Sequence, residues 1–189
     1  MTSTTWTISQ DSTISGSTWT SNSSSWNGAK AKNGTACSDA SFTFNANKTG
    51  AMYLGLDSTT NLPVELSYSV YIDYANLGNA YATVNGSTVA TLSGFSHNDV
   101  IKFENASGTI KIYKNGVLYY TFTATTTDTL YQTVQGVATA EVTNCEYTAS
   151  GGSGGGGSGG GSGGSETTPI EGEGAIIDYI TYLNTRVPK

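Results

Sequence analysis

The residues of this chain able to do acid, base or nucleophilic chemistry are few and far apart. His97 is the only histidine in 189 residues, and it stands in "SHNDV" beside Asn98 and Asp99, in a segment that reads as a turn. A nucleophilic relay needs a serine on a strained elbow or a cysteine held against the imidazole. Neither is implied here, so His97 reads as a loop residue. A pair of carboxylates flanking a scissile bond is the other common hydrolytic device. Glu65 and Asp73 come nearest to it, eight residues apart on the polar face of "ELSYSVYID", and read more simply as solvated side chains. Cys37 in "GTACSDAS" and Cys145 in "VTNCEYTA" lack both CxxC spacing and neighbouring histidines, which argues against zinc. Two readings of them stand: a disulfide closing a loop of 107 intervening residues, stabilising through the unfolded chain, or two reduced thiols. Catalysis is not expected.

Charge excludes a further class. Residues 1 to 149 hold ten acids and six lysines, a balance of −4, and no arginine, within a whole chain of net charge −6. Nucleic-acid binding wants clustered Lys and Arg on the phosphates, so it is not expected. Ser and Thr supply 16 of the first 26 residues, which suits a polar, weakly charged ligand surface. The start "MTSTTWTISQ" has neither the basic n-region nor the apolar core of a signal peptide, and no run of 18 apolar residues occurs. The chain is expected to be soluble, with no membrane insertion. Either it is not secreted by that route, or the signal is missing from this chain.

Alternation and turn chemistry predict the elements that carry these groups. "ELSYSVYID" puts Leu66, Tyr68, Val70 and Ile72 on one face and Glu65, Ser67, Ser69, Tyr71 and Asp73 on the other. Asn85-Gly86 and Asn115-Gly116 each separate two alternating runs, the signature of a two-residue type I′ hairpin. "DVIKFENASGTIKI" predicts two more strands, with Ile101, Phe103, Ile110 and Ile112 inward and Lys102, Glu104 and Lys111 outward. Further strands are expected over 5–9, 40–46, 51–56, 129–136 and 137–148. Residues 10–39, rich in Ser, Thr, Asn and Gly, read as long surface loops with at most one edge strand. Ten or so short strands without a helix imply two packed antiparallel sheets, an all-β sandwich.

In order along the chain, "HNDVIKF", "TIKIYKNGVLYY" and "TLYQTV", within residues 68–134, resemble the second half of concanavalin A-like (LamG-like) jelly-roll domains. That resemblance covers less than half of the chain. His97-Asn98 departs from it where a glycine usually precedes the aspartate, and the first 45 residues give no anchor. Such domains occur in lectins, glycan hydrolases, bacterial adhesins and surface proteins of phages and large viruses, so the likeness speaks to fold more than to function. The hydrolases among them carry E-x-D-x-x-E or E-x-D-x-E on one strand, and no such spacing exists here. The resemblance also raises calcium, held in many lectin-like jelly rolls by Asp, Asn and carbonyl oxygens. The candidates, Asp57, Asn61, Asp73, Asn98 and Asp99, are scattered in sequence.

Sugar recognition uses flat aromatic faces with polar groups around them. Trp6, Trp19 and Trp26 lie in polar surroundings, and Tyr71, Tyr74, Tyr81, Tyr113 and Tyr119 read as outward by alternation. Trp19 and Trp26 are expected on a loop that could bind glycan, with the tyrosines as further candidates.

Residues 150–165, "SGGSGGGGSGGGSGGS", have nothing apolar to bury and read as an engineered fusion linker. Such a coil spans roughly 22 Å root-mean-square. It divides the chain into a domain, 1–149, and a tethered peptide, 166–189. In the peptide, Ile176, Ile177, Ile180, Leu183 and Val187 gather on one side of a helical wheel, while its β-branched and aromatic content suits a strand. Either form exposes apolar side chains that want a partner. Holding a weak ligand at an effective concentration near millimolar is an economical reason for such a tether. The expected protein is therefore a non-catalytic recognition domain of an extracellular, cell-surface or virion assembly, fused to the peptide it binds. The rivals are a carbohydrate-binding adhesin with an independent sugar site and a fibre subunit completed by a donor strand.

Overall fold

The computed structural model describes residues 1–25, 28–45, 47, 50–73 and 79–150. The linker beyond Ser150 and the peptide 166–189 with its five apolar anchors lie outside the described residues, as do Trp26 and Tyr74. The described chain is all-β, with fourteen strands paired antiparallel throughout.

Sheet A runs in the order β12 (Val117–Thr125), β11 (Thr109–Lys114), β10 (Val100–Ala106), β5 (Ala29–Phe44) and β14 (Glu141–Ala149). Beyond β14 come β4 (Thr18–Ser21) and β3 (Ser12–Ser15), and β1 (Thr2–Ser3) also pairs with β14. Sheet B is β2 (Trp6–Gln10), β5, β13 (Tyr131–Gly136), β6 (Met52–Asp57), β7 (Tyr68–Ile72), β8 (Asn79–Val84) and β9 (Ser87–Ser93).

Strand β5 belongs to both sheets. Its first half pairs with β2 and β13, its second with β10 and β14. The two sheets close on one core, where Tyr68 of sheet B meets Phe122 of sheet A edge-on, centroids 5.4 Å apart. Phe42 and Phe103 meet the same way at 6.2 Å. Leu54, Val70, Ile72, Ile101, Ile110 and Ile112 fill the space between, as alternation requires. Gln132 is a buried polar member, donating to the carbonyls of Ser41 and Glu146 at 3.1 Å each and accepting from Thr4.

Both Asn-Gly turns form as expected, with positive φ at Asn85 (47°), Gly86 (74°), Asn115 (51°) and Gly116 (79°).

Two expectations are corrected, and one open alternative is decided. Residues 10–39 are not long surface loops: they supply β3, β4 and the whole first half of β5, the strand joining the sheets. Its inward positions there are small, Ala29 and Ala31, and its outward positions are lysines, so hydropathy does not betray a buried strand. Trp19 does not lie on a ligand-binding loop. It is wholly buried in β4, its indole nitrogen donating to Ser12 Oγ at 2.7 Å, which satisfies the one polar group that burial would otherwise strand. Cys37 and Cys145 are both free and buried. Register puts Cys37 opposite Ala149, with Cys145 four residues further along β14. That is roughly 13 Å of strand, against about 7 Å as the limit for bridging Cα atoms. Burial pushes the Cys37 thiol up to about 12 and raises that of Cys145 as well, so both are poor nucleophiles.

Candidate ligand-binding face

The face of sheet B turned away from the core is polar across most of its width. One register row reads Gln10, Lys30, Gln135, Tyr53, Tyr71, Tyr81, Thr91 across seven strands. The next reads Ile8, Lys32, Thr133, Gly55, Ser69, Thr83. The tyrosines form a ladder. Tyr53 and Tyr71 stack with centroids 4.8 Å apart at 30°, and Tyr71 and Tyr81 at 5.9 Å and 21°. The first distance matches the spacing between neighbouring strands, so the rings face one another across the sheet. What the ladder offers outward is therefore ring edges and hydroxyls more than a flat aromatic platform.

The floor beside the ladder is dehydrated. Lys30, Lys32, Thr133, Gln135, Ser69 and Thr83 are all buried, although they point away from the hydrophobic core. Residues 58–67, between β6 and β7, supply the cover. Lys30 Nζ donates to the Pro63 carbonyl at 2.5 Å. Lys32 Nζ meets Asp57 Oδ2 at 2.6 Å, with both side chains 1% exposed, and also donates to the Thr59 carbonyl. Asp57 in turn accepts from the Thr59 amide at 3.1 Å and from Ser67 Oγ at 3.1 Å. The pair is a clasp that ties this strap down. Ser69 and Thr83 share a hydrogen bond of 2.5 Å beneath the same face. Opposite Ser69, Gly55 leaves no room for a side chain, since a Cβ there would stand 2.0 Å from the Tyr68 carbonyl oxygen.

Electrostatics follow from the dehydration. Burial lowers the pKa of Lys30, and it lowers that of Lys32 against the opposing pull of Asp57. Burial, then the charge of Asp73, then the neighbouring tyrosines push Tyr71 up to about 12. Tyr53 is raised by burial and by Glu65. Glu65 and Asp73, the two carboxylates singled out by spacing, thus act on the ladder as an acidic margin.

The structure brings together only part of the expected set. Tyr71 and Tyr81 meet on this face. Tyr53 joins them, and it was legible in "AMYLGL", where Met52, Leu54 and Leu56 alternate with it. Tyr113 lies elsewhere, on the outer side of sheet A, where Lys102 Nζ sits 5.7 Å from its ring. Tyr119 packs against Phe95 at 5.6 Å and hydrogen-bonds Ser93. The oxygen ligands considered for calcium are not gathered. Asp57 is committed to Lys32, and Asp99 to Lys114 (3.1 Å) and Asn115 (2.7 Å). Asn98 sits at φ 68° in the turn before β10. Among the described residues no group of three or more His, Cys, Asp or Glu side chains could hold a metal ion. His97 is exposed, its ring nitrogen 3.4 Å from Asn47 Nδ2.

No family model matches the sequence, and no curated protein matches it. Solved structures do. The Y131F mutant of the Emp46p carbohydrate recognition domain superposes with a TM-score of 0.54 at 8% identity, covering 76% of this chain and 87% of that one. The fold is a concanavalin A-like jelly roll. A human SPRY domain matches this jelly roll equally well, TM-score 0.54 at 17% identity, over 72% of this chain and 95% of that one. A prokaryotic lichenase from a mouse hindgut metagenome is looser, TM-score 0.49 at 9% identity, over 74% of this chain and 83% of that one. A jelly roll does not by its fold decide whether a chain catalyses.

Proposed function

We propose that this jelly roll is a non-catalytic, lectin-like binding domain of a surface or virion assembly, and that its ligand is a peptide segment of another protein, represented by residues 166–189. The observation that carries the binding reading is the tyrosine ladder. Three aligned rings beside a hydrogen-bonded, dehydrated polar floor form a fixed array on one sheet face, and they offer a row of hydroxyls at the spacing of the strands. Asp57 on this face is paired with Lys32 at 2.6 Å, and the reading of binding without cleavage takes that carboxylate as structural. The peptide reading rests on the Gly/Ser tether and the apolar side chains behind it.

A glycan ligand is the second reading. It is favoured by the likeness to a carbohydrate recognition domain and by the hydroxyl-rich ladder, and it needs no peptide. Separate preparation of residues 1–150 and 166–189, with calorimetric titration of one into the other and a glycan array probed in parallel, tests both. Saturable peptide binding with a raised melting temperature of the domain supports the first reading. Glycan capture that Tyr71→Ala abolishes, with the peptide ignored, replaces it with the second. An unfolded 1–150 fragment would instead make the peptide a missing strand, and turnover of any array member would end the non-catalytic reading.

A further inference from the structure

The two Asn-Gly hairpins differ in a way that bears on covalent chemistry, independently of any ligand. An asparagine before glycine can cyclise because the glycine amide meets no side chain of its own to block approach. The Gly86 nitrogen attacks Asn85 Cγ, and the side-chain nitrogen leaves as ammonia with the proton that the backbone amide gives up. Water then opens the succinimide at either carbonyl to aspartate or isoaspartate. The net change is one water consumed and one ammonia released, with no oxidant or cofactor.

The two turns are matched in backbone, although Gly86 is half-buried beside Glu65 and Gly116 is exposed. Their φ angles are 47° and 74° at Asn85-Gly86 and 51° and 79° at Asn115-Gly116, and both asparagines are exposed. Their carboxamides are not matched. Asn115 is held at both ends, Nδ2 donating to Asp99 Oδ1 at 2.7 Å and Oδ1 accepting from the Val100 amide at 2.8 Å. Asp99 is itself fixed by the Ser96 amide at 2.7 Å and by Lys114 at 3.1 Å. Asn85 has no side-chain partner among the described residues, and only its backbone amide is held, by the Ser67 carbonyl at 3.1 Å. A third step, Asn33-Gly34, is restrained differently: Asn33 is buried, and its Oδ1 accepts from the Thr35 amide at 3.0 Å.

We propose that Asn85 is a site of spontaneous deamidation in the folded protein, while the clamp of Asp99 and Val100 protects Asn115 and burial protects Asn33. The product carries a new carboxylate at the hairpin tip, where the Glu65 carboxylate already lies against Gly86. Like charges then meet between the β8–β9 turn and the strap that covers Lys30 and Lys32.

The test is incubation of the full chain at mildly alkaline pH, with peptide mapping by mass spectrometry for the gain in mass from amide to acid and for isoaspartate. Asn85 is expected to convert faster than Asn115 and Asn33 by on the order of tenfold, the factor that a restraint of charge-assisted hydrogen-bond strength carries. The same incubation in denaturant should bring Asn85 and Asn115 to similar rates. Equal rates in the folded protein, or a faster Asn115, overturn the proposal. A ratio that persists in denaturant overturns it too, because the preference would then come from neighbouring residues and not from the clamp.

Discussion

The outer faces of the two sheets are built from the same kinds of residue and arrive at opposite states. On sheet A, Lys102 bridges Asp39 at 2.9 Å and Glu104 at 3.2 Å while remaining 34% exposed, and Tyr113 lies beside it, its hydroxyl 3.4 Å from Glu104. Water shares every one of those charges. On sheet B, Lys30 and Lys32 are buried beneath residues 58–67, and the tyrosines stack on one another. An ordinary outer face keeps its charges wet. A face that dehydrates lysines away from the core is covered by its own chain, which holds those groups in fixed positions.

The largest expected consequence is at the clasp. Removing one partner of a buried pair leaves an uncompensated charge, which costs about 3–5 kcal/mol, whereas replacing both partners with apolar groups can be neutral. Asp57→Ala should therefore lower the urea midpoint steeply, and Lys32→Met combined with Asp57→Leu should recover most of the loss. If the single and double variants were equally unstable, the pair would contribute through shape and not through charge.

Much of the architecture was legible because alternation and Asn-Gly turns are local signals. The strands around Tyr68–Ile72 and Val100–Lys114 and both hairpins follow from them directly. What stayed hidden was set by partners far along the chain. The first half of β5 looks like loop because its core positions are alanines and its outward lysines are buried only through Asp57 and Pro63, about thirty residues away. Trp19 looked exposed in a Ser/Thr-rich setting because its cover comes from β3, β14 and the core rather than from its neighbours. The ladder was half visible: the sequence marks Tyr71 and Tyr81 as outward, but only the register of β6 on β7 places Tyr53 against them. The cysteines show the same limit, since their separation in sequence carries no hint of their offset along β14.

The ladder supplies the next prediction. Tyr71 stands between the other two rings, so Tyr71→Ala breaks both contacts and opens the middle of the face, and whatever ligand is captured should be lost or weakened at least tenfold, a change of about 1.4 kcal/mol. Tyr113→Ala, on the wet face, should leave capture unchanged. Tyr81→Phe keeps the stack and removes one hydroxyl, and its loss relative to Tyr71→Ala separates hydrogen bonding from ring contact.

Alkaline titration sharpens the contrast at smaller scale. The folded pKa of Tyr71, about 12, lies above the ordinary tyrosine value of 10.0, so the folded state holds its proton longer than the unfolded state. The stability linked to this group is complete below pH 10 and is lost as pH rises through 12. Tyrosinate absorbance should show a late-ionising phase, to which Tyr53 also contributes, that shrinks in Tyr71→Phe, and that variant should lose less stability than the parent over the same interval. If Tyr71→Phe removed amplitude near pH 10 and left the late phase intact, water would reach Tyr71 freely.

The smallest effect is expected on sheet A, and it is the control that gives the others meaning. Lys102 makes two ion pairs against the one that Lys32 makes with Asp57, so a count of ion pairs would rank it as the more important lysine. Burial ranks them the other way. Water screens the Lys102 pairs and the long side chain loses rotamer freedom in making them, so exposed pairs contribute under about 1 kcal/mol. Lys102→Ala should shift the urea midpoint slightly, and added salt should shrink the difference further, because screening has already weakened what is being removed. Lys32→Ala should show neither property. If Lys102→Ala proved as damaging as Lys32→Ala, the two faces would not differ in dehydration, and the argument that sheet B presents a prepared site would fall with that distinction.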